Sequence, residues 1–329
     1  NPFHYRNKVH VVFAADRRGK IITGVYRAGT HQVIPVDQCL IHDTRADAIV
    51  ATLRKLAGDF GYAPYDEDRR TGFLRHALVR TGKEEIMVTL VTASATFPSK
   101  NAFLKALLLA HPEITTVVQN VNPRTTSMVL GTKENTLFGK GFIEDTLCGL
   151  RFRLSSQSFY QVNRTQTEIL YALALEMEQL TGKETVLDAY CGVGTIGLSM
   201  VARASRLIGV ELNAQAVRDA QGNAKRNEIR SATFLCDGAG RFLRRCAAEG
   251  ARLDVVVMDP PRSGSDNAVL QSIGILKPER VVYVSCDPET LARDLKVLQK
   301  SGYAMRRAVP VDMFPATEHV ETVVLLSRT

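Results

Sequence analysis

The stretch "LDAYCGVGTIGLSM" (187–200) sets three glycines, Gly192, Gly194 and Gly197, between an apolar run and a helix-compatible one. Glycine at such a junction permits positive φ and lets a ligand approach the backbone closely. The spacing is G-x-G-x-x-G, and Glu211 follows about twenty residues on, as a nucleotide-binding strand–turn–helix requires. Taken alone, the stretch fits a nicotinamide dinucleotide, S-adenosylmethionine (SAM), or a tight turn that binds nothing. Its surroundings decide between them.

Toward the C-terminus, short apolar runs alternate with helical segments. "TVLDAY" (185–190), "RLIGVE" (206–211), "ATFLCD" (232–237), "LDVVVMDPP" (253–261) and "RVVYVS" (280–285) read as strands. Stretches such as "NAQAVRDAQGNAKRN" (213–227) and "PETLARDLKVLQKSG" (288–302) separate them. This alternation predicts a parallel sheet covered on both faces. "YAMRRAVPV" (303–311) and "ETVVLLS" (321–327) follow each other closely, so one of the two is predicted to run antiparallel. The fold class is therefore α/β, a doubly wound Rossmann-like sheet of seven strands.

Toward the N-terminus the pattern changes. "VHVVFAADRRGKIITGVY" (9–26) reads as a hairpin turning at Arg18-Gly19, and "FLRHALVRTGKEEIMVTLVTA" (73–93) as another turning near Gly82. "RADAIVATLRKLAGDFG" (45–61) and "KNAFLKALLLAHPE" (100–113) read as helices. The expected division is an α+β, RNA-contacting domain over 1–155 and a catalytic domain over 156–329. The amphipathic "NRTQTEILYALALEMEQLTG" (163–182) should pack on the latter.

Composition narrows the function. With 329 residues, 45% hydrophobic and 23% charged, the chain has an ordinary globular balance. No run approaches the ~18 apolar residues of a membrane span, and "NPFHYRNKVH" (1–10) has no signal-peptide core. A soluble, cytoplasmic monomer is expected, and Asn1 in place of methionine suggests a longer parent sequence. The net charge of +8 favours a polyanionic partner. Arginines fall in small groups rather than a tail, so nucleic acid would meet a folded surface. Six cysteines, with no C-x-x-C pair, make neither a disulfide framework nor a complete zinc site.

Several polar residues converge on the predicted strand ends. Asp188, within the strand before the glycine turn, suits the methionine end of SAM. Glu211 suits a ribose diol, and Asp237 an adenine amino group. "DPPRSG" (259–264) fixes φ at two consecutive prolines, a rigidity useful beside a base and without evident use in hydride transfer. An aromatic residue after Asp-Pro-Pro would suggest methylation of an exocyclic amine. Arg262 stands there instead and suits a phosphate.

The next strand ends in Cys286, and "DMFPATEHVETVVLL" (312–326) brings His319 and Glu321 toward the same edge. A thiol and a carboxylate near SAM suit uracil C5 chemistry. The thiolate adds to carbon 6 and makes carbon 5 nucleophilic, and a base then removes the C5 proton. Cys286 is the candidate nucleophile, Glu321 the base, and Asp259 a contact to the pyrimidine edge or the cofactor. His319 is expected to support or to touch RNA.

These residues resemble the RNA (uracil-5)-methyltransferases that act on tRNA and ribosomal RNA. "NPFHYRNK" (1–8), "SFYQVN" (158–163), "LDAYCGVGTIGL" (187–198), "DPPRSG" (259–264), "YVSCDPETLARDL" (283–295) and "DMFPATEHVETVVLL" (312–326) carry the resemblance over nearly the whole chain. The resemblance implies an active-site role for Gln161 near cofactor and base. It implies cofactor contacts for Tyr190, the Gly192 turn, Glu211 and Asp259, with Cys286 and Glu321 catalytic. It also implies that Cys39, in "VIPVDQCLI" (33–41), is the last of four iron–sulfur ligands, the other three lying in an absent preceding segment. This chain alone would then hold no cluster, because ligation needs four thiolates.

The expected activity is SAM-dependent C5 methylation of a flipped-out uridine in structured RNA. Ribosomal 23S RNA is the first expected substrate and tRNA the second. Arg75, His76 and Arg124 are expected RNA contacts. Methylation of a base amine or cytosine C5, RNA binding without catalysis, and a nicotinamide enzyme stand as alternatives.

Overall fold

The computed structural model describes residues 1–329. In the first part of the chain, β-branched and aromatic residues recur at the short spacings of strands. They form β1 (Lys8–Ala15), β2 (Ile21–Tyr26) and β3 (Val33–Pro35), then α1 (Thr44–Asp59), β4 (Leu74–Thr81) and β5 (Ile86–Thr92). α2 (Lys100–Ala110), β6 (Ile114–Val121) and β7 (Lys133–Phe138) follow. The sheet order is β3-β2-β1-β4-β5-β6-β7. Its pairs are antiparallel except β5 and β6, which α2 joins as a parallel crossover. α1 and α2 pack together, and their apolar faces close a core around Phe13, Ile49, Leu53, Leu90, Phe103 and Leu107.

Both predicted hairpins and both helices form. Three further strands and a third hairpin, which periodicity did not show, also form. β6 reads "ITTVVQNV", with amides where a buried strand normally has hydrocarbon. Those amides are buried and bonded: Gln119 Nε2 donates to Thr92 Oγ1 at 2.9 Å, and Asn120 both donates to and accepts from the Gly131 backbone.

Arg75, expected to contact RNA, is corrected as a phosphate contact: both terminal nitrogens of its guanidinium are committed inside the protein. It is only 2% exposed, donates to the carbonyls of Asn122 and Arg124 at 2.8 and 2.6 Å and forks onto Glu67 at 2.6 and 2.8 Å. A guanidinium spent inside the protein has no face left for phosphate. His76 is buried beside it, and Arg124 is exposed.

β8 (Ile143–Leu147) and β9 (Leu150–Leu154) form a separate hairpin, with Cys148 and Gly149 at positive φ in its turn. The chain divides into two compact units, 1–145 with 153–158, and 146–152 with 159–329. The division expected at 155/156 falls inside this exchange.

The second unit begins with α3 (Arg164–Glu178), β10 (Thr185–Asp188), α4 (Thr195–Met200) and β11 (Arg206–Glu211). α5 (Ala214–Arg226), β12 (Ala232–Cys236), α6 (Ala239–Glu249), β13 (Val255–Met258) and α7 (Asn267–Leu276) follow. It ends with β14 (Arg280–Ser285), α8 (Pro288–Lys300), β15 (Tyr303–Val311) and β16 (Glu321–Arg328). The sheet order is β12-β11-β10-β13-β14-β16-β15, parallel from β12 to β14. β16 runs antiparallel to both of its neighbours, as the closely spaced last strands predicted. α3 packs on β14, β15 and β16. Strand order reverses between β10 and β13, and in such sheets ligands bind beyond the strand ends at that point.

Candidate active site

Where β10 ends, Gly192 and Gly194 take φ of +53° and +86°, which side chains other than glycine rarely tolerate. A Cβ at Gly192 would meet nothing within 4 Å, so the turn faces open space. Gly197 serves packing instead: a Cβ there would lie 2.9 Å from Asp188 Oδ2 and 3.0 Å from Leu207. Asp188 Oδ2 accepts the Gly197 amide at 3.0 Å, while Oδ1 is buried with no partner. Burial, and to a lesser degree Glu211, push this carboxyl up to about 7. An orphaned buried acceptor beside an open glycine turn fits the cationic amino-acid end of SAM.

Glu211, at the tip of β11, accepts the Gly192 and Asn213 amides at 3.2 and 2.7 Å. These bonds fix the carboxylate at the rim and leave lone pairs for a diol. Asp237, just past β12, is paired with Arg241 and Arg245, and its carboxyl lies below the usual range, chiefly through Arg241. An adenine amino group would therefore share this carboxylate with two arginines. Tyr190 bonds Ser265 through its hydroxyl at 2.8 Å, tying the glycine turn to the "DPPRSG" loop.

Asp259 follows β13, and burial, then Glu321 and Asp188, raise its carboxyl well above the ordinary value. Cys286 follows β14 immediately. The ladder pairs Ser285 with Thr322, so the next step places Cys286 opposite Glu321 on the neighbouring strand. Directly opposed side chains have Cβ atoms about 4.5–5.5 Å apart. The half-buried thiol is raised by burial first, then by Glu321 and Asp259, with Arg262 opposing. Glu321 is 4% exposed, and its Oε2 has no partner. Burial pushes its carboxyl up to about 7. Arg262 lies 3.3 Å from His319 Nε2, so this histidine braces the "DPPR" arginine.

Gln161 is buried two residues before the cap of α3. The cap is Asn163, whose Oδ1 accepts the Gln166 amide at 3.2 Å and whose Nδ2 donates to the Met313 carbonyl at 3.1 Å. The "FYQVN" segment is thereby sewn to the segment that leads into Glu321. Sequence reading missed Asp294. This residue is 1% exposed and accepts from Tyr283 Oη and the Ser265 amide, both at 2.7 Å. Its signal was available: Leu291, Asp294 and Leu298 share one helical stripe, and only the aspartate is polar.

Cys39 is half-buried, and its amide donates to Asp47 at 3.0 Å. No group of three or more histidine, cysteine or acidic side chains is brought together as a metal would require. The donor set around Cys39 does not fit a four-thiolate cluster, and no step below uses one.

A family model described as tRNA (Uracil-5-)-methyltransferase matches residues 4–329. An uncharacterized RNA methyltransferase of Halalkalibacterium halodurans is 43% identical over 327 residues, 99% of this chain and 71% of that protein. A second from Bacillus cereus is 43% identical over 330 residues, 100% of this chain and 72% of that protein. Among solved structures, the Pyrococcus abyssi tRNA (uracil-54, C5)-methyltransferase in complex with S-adenosyl-L-homocysteine is similar with a TM-score of 0.82 at 26% identity. The match covers 99% of this chain and 76% of that one. The M. jannaschii tRNA m1G37 methyltransferase, at 12% identity and TM-score 0.51 over 76% of this chain and 74% of its own, shares the fold.

Proposed function

The chain belongs to the tRNA (uracil-5-)-methyltransferase family, and from that premise we propose that it methylates carbon 5 of a uridine in 23S ribosomal RNA, with Cys286 as nucleophile and Glu321 as proton acceptor. The observation that carries this reading is the register of β14 against β16. It sets the thiol opposite the carboxylate at the rim where the glycine turn opens.

Asp188, the Gly192 turn and Glu211 would hold SAM, with Gln161, Tyr190, Asp237 and Asp259 around it. SAM supplies an electrophilic methyl on a sulfonium sulfur, which carbon 5 captures. Cys286 loses its proton and adds through Sγ to carbon 6 of the flipped uracil. After methylation, carbon 5 carries both methyl and hydrogen. Glu321 takes that proton, the C5–C6 double bond returns, and Cys286 leaves as thiolate. In the free protein burial and two neighbouring carboxyls hold Cys286 as a thiol. A cation entering that ring of carboxyls lowers the thiol pKa, which couples nucleophile activation to cofactor loading.

Ribosomal RNA stands first on the Cys39 resemblance alone. The tRNA reading is favoured by the family description and by the Pyrococcus abyssi neighbour. The test uses 23S and tRNA transcripts containing 5-fluorouridine, mixed with protein and SAM and run on a denaturing gel. Fluorine blocks proton removal, so the covalent adduct persists. We expect a shifted band with 23S RNA that is absent in Cys286→Ala. A band with tRNA only would transfer the assignment to tRNA. Retained methylation of unmodified RNA by Cys286→Ala would remove the covalent mechanism.

A further inference from the structure

The first unit holds a cavity of ≈ 720 Å³ lined by three imidazoles, a phenol and guanidiniums, two of the imidazoles, His10 and His76, in contact with each other. Ligand sites typically enclose about 300–1,000 Å³. His10 on β1 and His76 on β4 lie diagonally across the ladder, with His10 Nε2 3.2 Å from His76 Nδ1. Their rings are 5.0 Å apart at 52°. Tyr26 stands edge-on to His76 at 6.4 Å. The segment 125–129 borders the cavity, and Asn122 anchors it through the Met128 and Val129 carbonyls at 2.6 and 2.9 Å.

The contacting pair, His10 and His76, is neutral, while His31 at the rim is paired with Asp68. Burial, then Lys8 and Arg6, lower His10 to about 4. Burial, then His10 and Arg75, lower His76 to about 3. A neutral imidazole offers one donor and one acceptor, and the mutual bond uses one nitrogen of each ring. Arg75 also lines the cavity, and its buried Nε–H has no acceptor. Buried polar groups left unbonded are costly, so the site lacks a partner of complementary polarity.

The chemistry of the lining selects that partner. Glu67 and Asp68 also line the cavity and disfavour a phosphate within it. A flat heterocycle with donors and acceptors on its edge meets the free ring nitrogens, and its faces meet Tyr26 and the imidazoles. Arg27 and Arg70, both exposed and lining the same cavity, suit the phosphates on either side of such a base. Exposed Met128 adds a polarizable surface at the mouth. We propose that this cavity holds a second nucleobase of the substrate RNA, unstacked from its neighbours, as single-stranded RNA bases are when proteins read them. This rests on the reading of the chain as an RNA-modifying enzyme.

The test combines photocross-linking with affinity. Transcripts of 23S RNA and tRNA carrying 4-thiouridine or 6-thioguanosine are irradiated with the protein, and the linked peptides are identified by mass spectrometry. The same RNAs are titrated against wild type, Thr126→Trp, which fills the cavity from its exposed wall, and His76→Phe, which keeps the ring and removes its nitrogens. We expect links to peptides containing Tyr26 or residues 125–129, and at least tenfold weaker RNA binding by Thr126→Trp with kcat at saturating RNA retained. Links confined to other peptides, with affinity unchanged in Thr126→Trp, would overturn the proposal. Should His76→Phe not fold, Thr126→Trp decides alone. Links at the cavity without methyl transfer by wild type would sink the enzymatic reading and leave the base pocket standing. Failure to bind either RNA would remove both.

Discussion

Glu321 sits in a strand that buries it, and the proposed role as proton acceptor requires its carboxyl to ionise there. With a pKa moved from 4.5 to about 7, the folded protein binds more protons here than the unfolded chain across that window. Stability therefore falls as pH rises from about 4.5 to 7 and stays lower above it. Glu321→Gln removes that penalty. Denaturation should show the variant more stable than wild type by roughly 1–3 kcal/mol near pH 8, with the difference gone below about pH 4. Equal stabilities at both pH values would refute the burial account. The same substitution removes the nearest negative charge acting on Cys286, so iodoacetamide should alkylate this thiol several-fold faster near pH 8, read by mass spectrometry. Methyl transfer should nonetheless fall by at least about a hundredfold, the usual cost of losing a general base. Unchanged alkylation would mean that the Glu321 charge does not act on the thiol. The meeting of Cys286 and Glu321 at one sheet edge was legible because apolar runs show where strands end. Arg75 was misread because nothing in "FLRHAL" distinguishes an arginine that feeds buried carbonyls from one that meets solvent.

The second unit was legible as elements because parallel strands buried on both faces appear as continuous apolar runs between helices. The first unit was only partly so. β7 reads "KENTLF", polar in the pattern of an edge, and β3 spans three residues, too short for any period. The amides of β6 are satisfied by loops far along the chain, which local pattern cannot show. Asp294 on α8 makes the same point from the opposite side. It bonds Tyr283 of β14 and the Ser265 amide, and so fixes the "DPPRSG" loop to the helix that follows Cys286. Asp294→Ala should cost about 2–4 kcal/mol in urea denaturation, since it leaves a buried amide and a buried hydroxyl without acceptors. A loss within 0.5 kcal/mol, the range of an ordinary surface change, would show that the loop holds by packing. Gly264→Ala is expected to be as damaging, because its φ is +77° and the added methyl would meet Arg293 at 2.3 Å.

At the scale of the molecule, the excess of +8 is spread over many small arginine groups. Contacts of that kind release counterions and leave binding salt-dependent. If about six phosphates are neutralised, RNA affinity should drop roughly a thousandfold between about 50 and 200 mM salt. A flat response in filter binding would remove the electrostatic account. The exchange around β8 and β9 has a consequence for inheritance. The chain passes between the two units at 145/146, at 152/153 and again at 158/159. A gene broken once, at any of these points, cannot deliver both units whole. Recombination therefore cannot trade one unit for a foreign one by a single join, and the two should descend together as a pair.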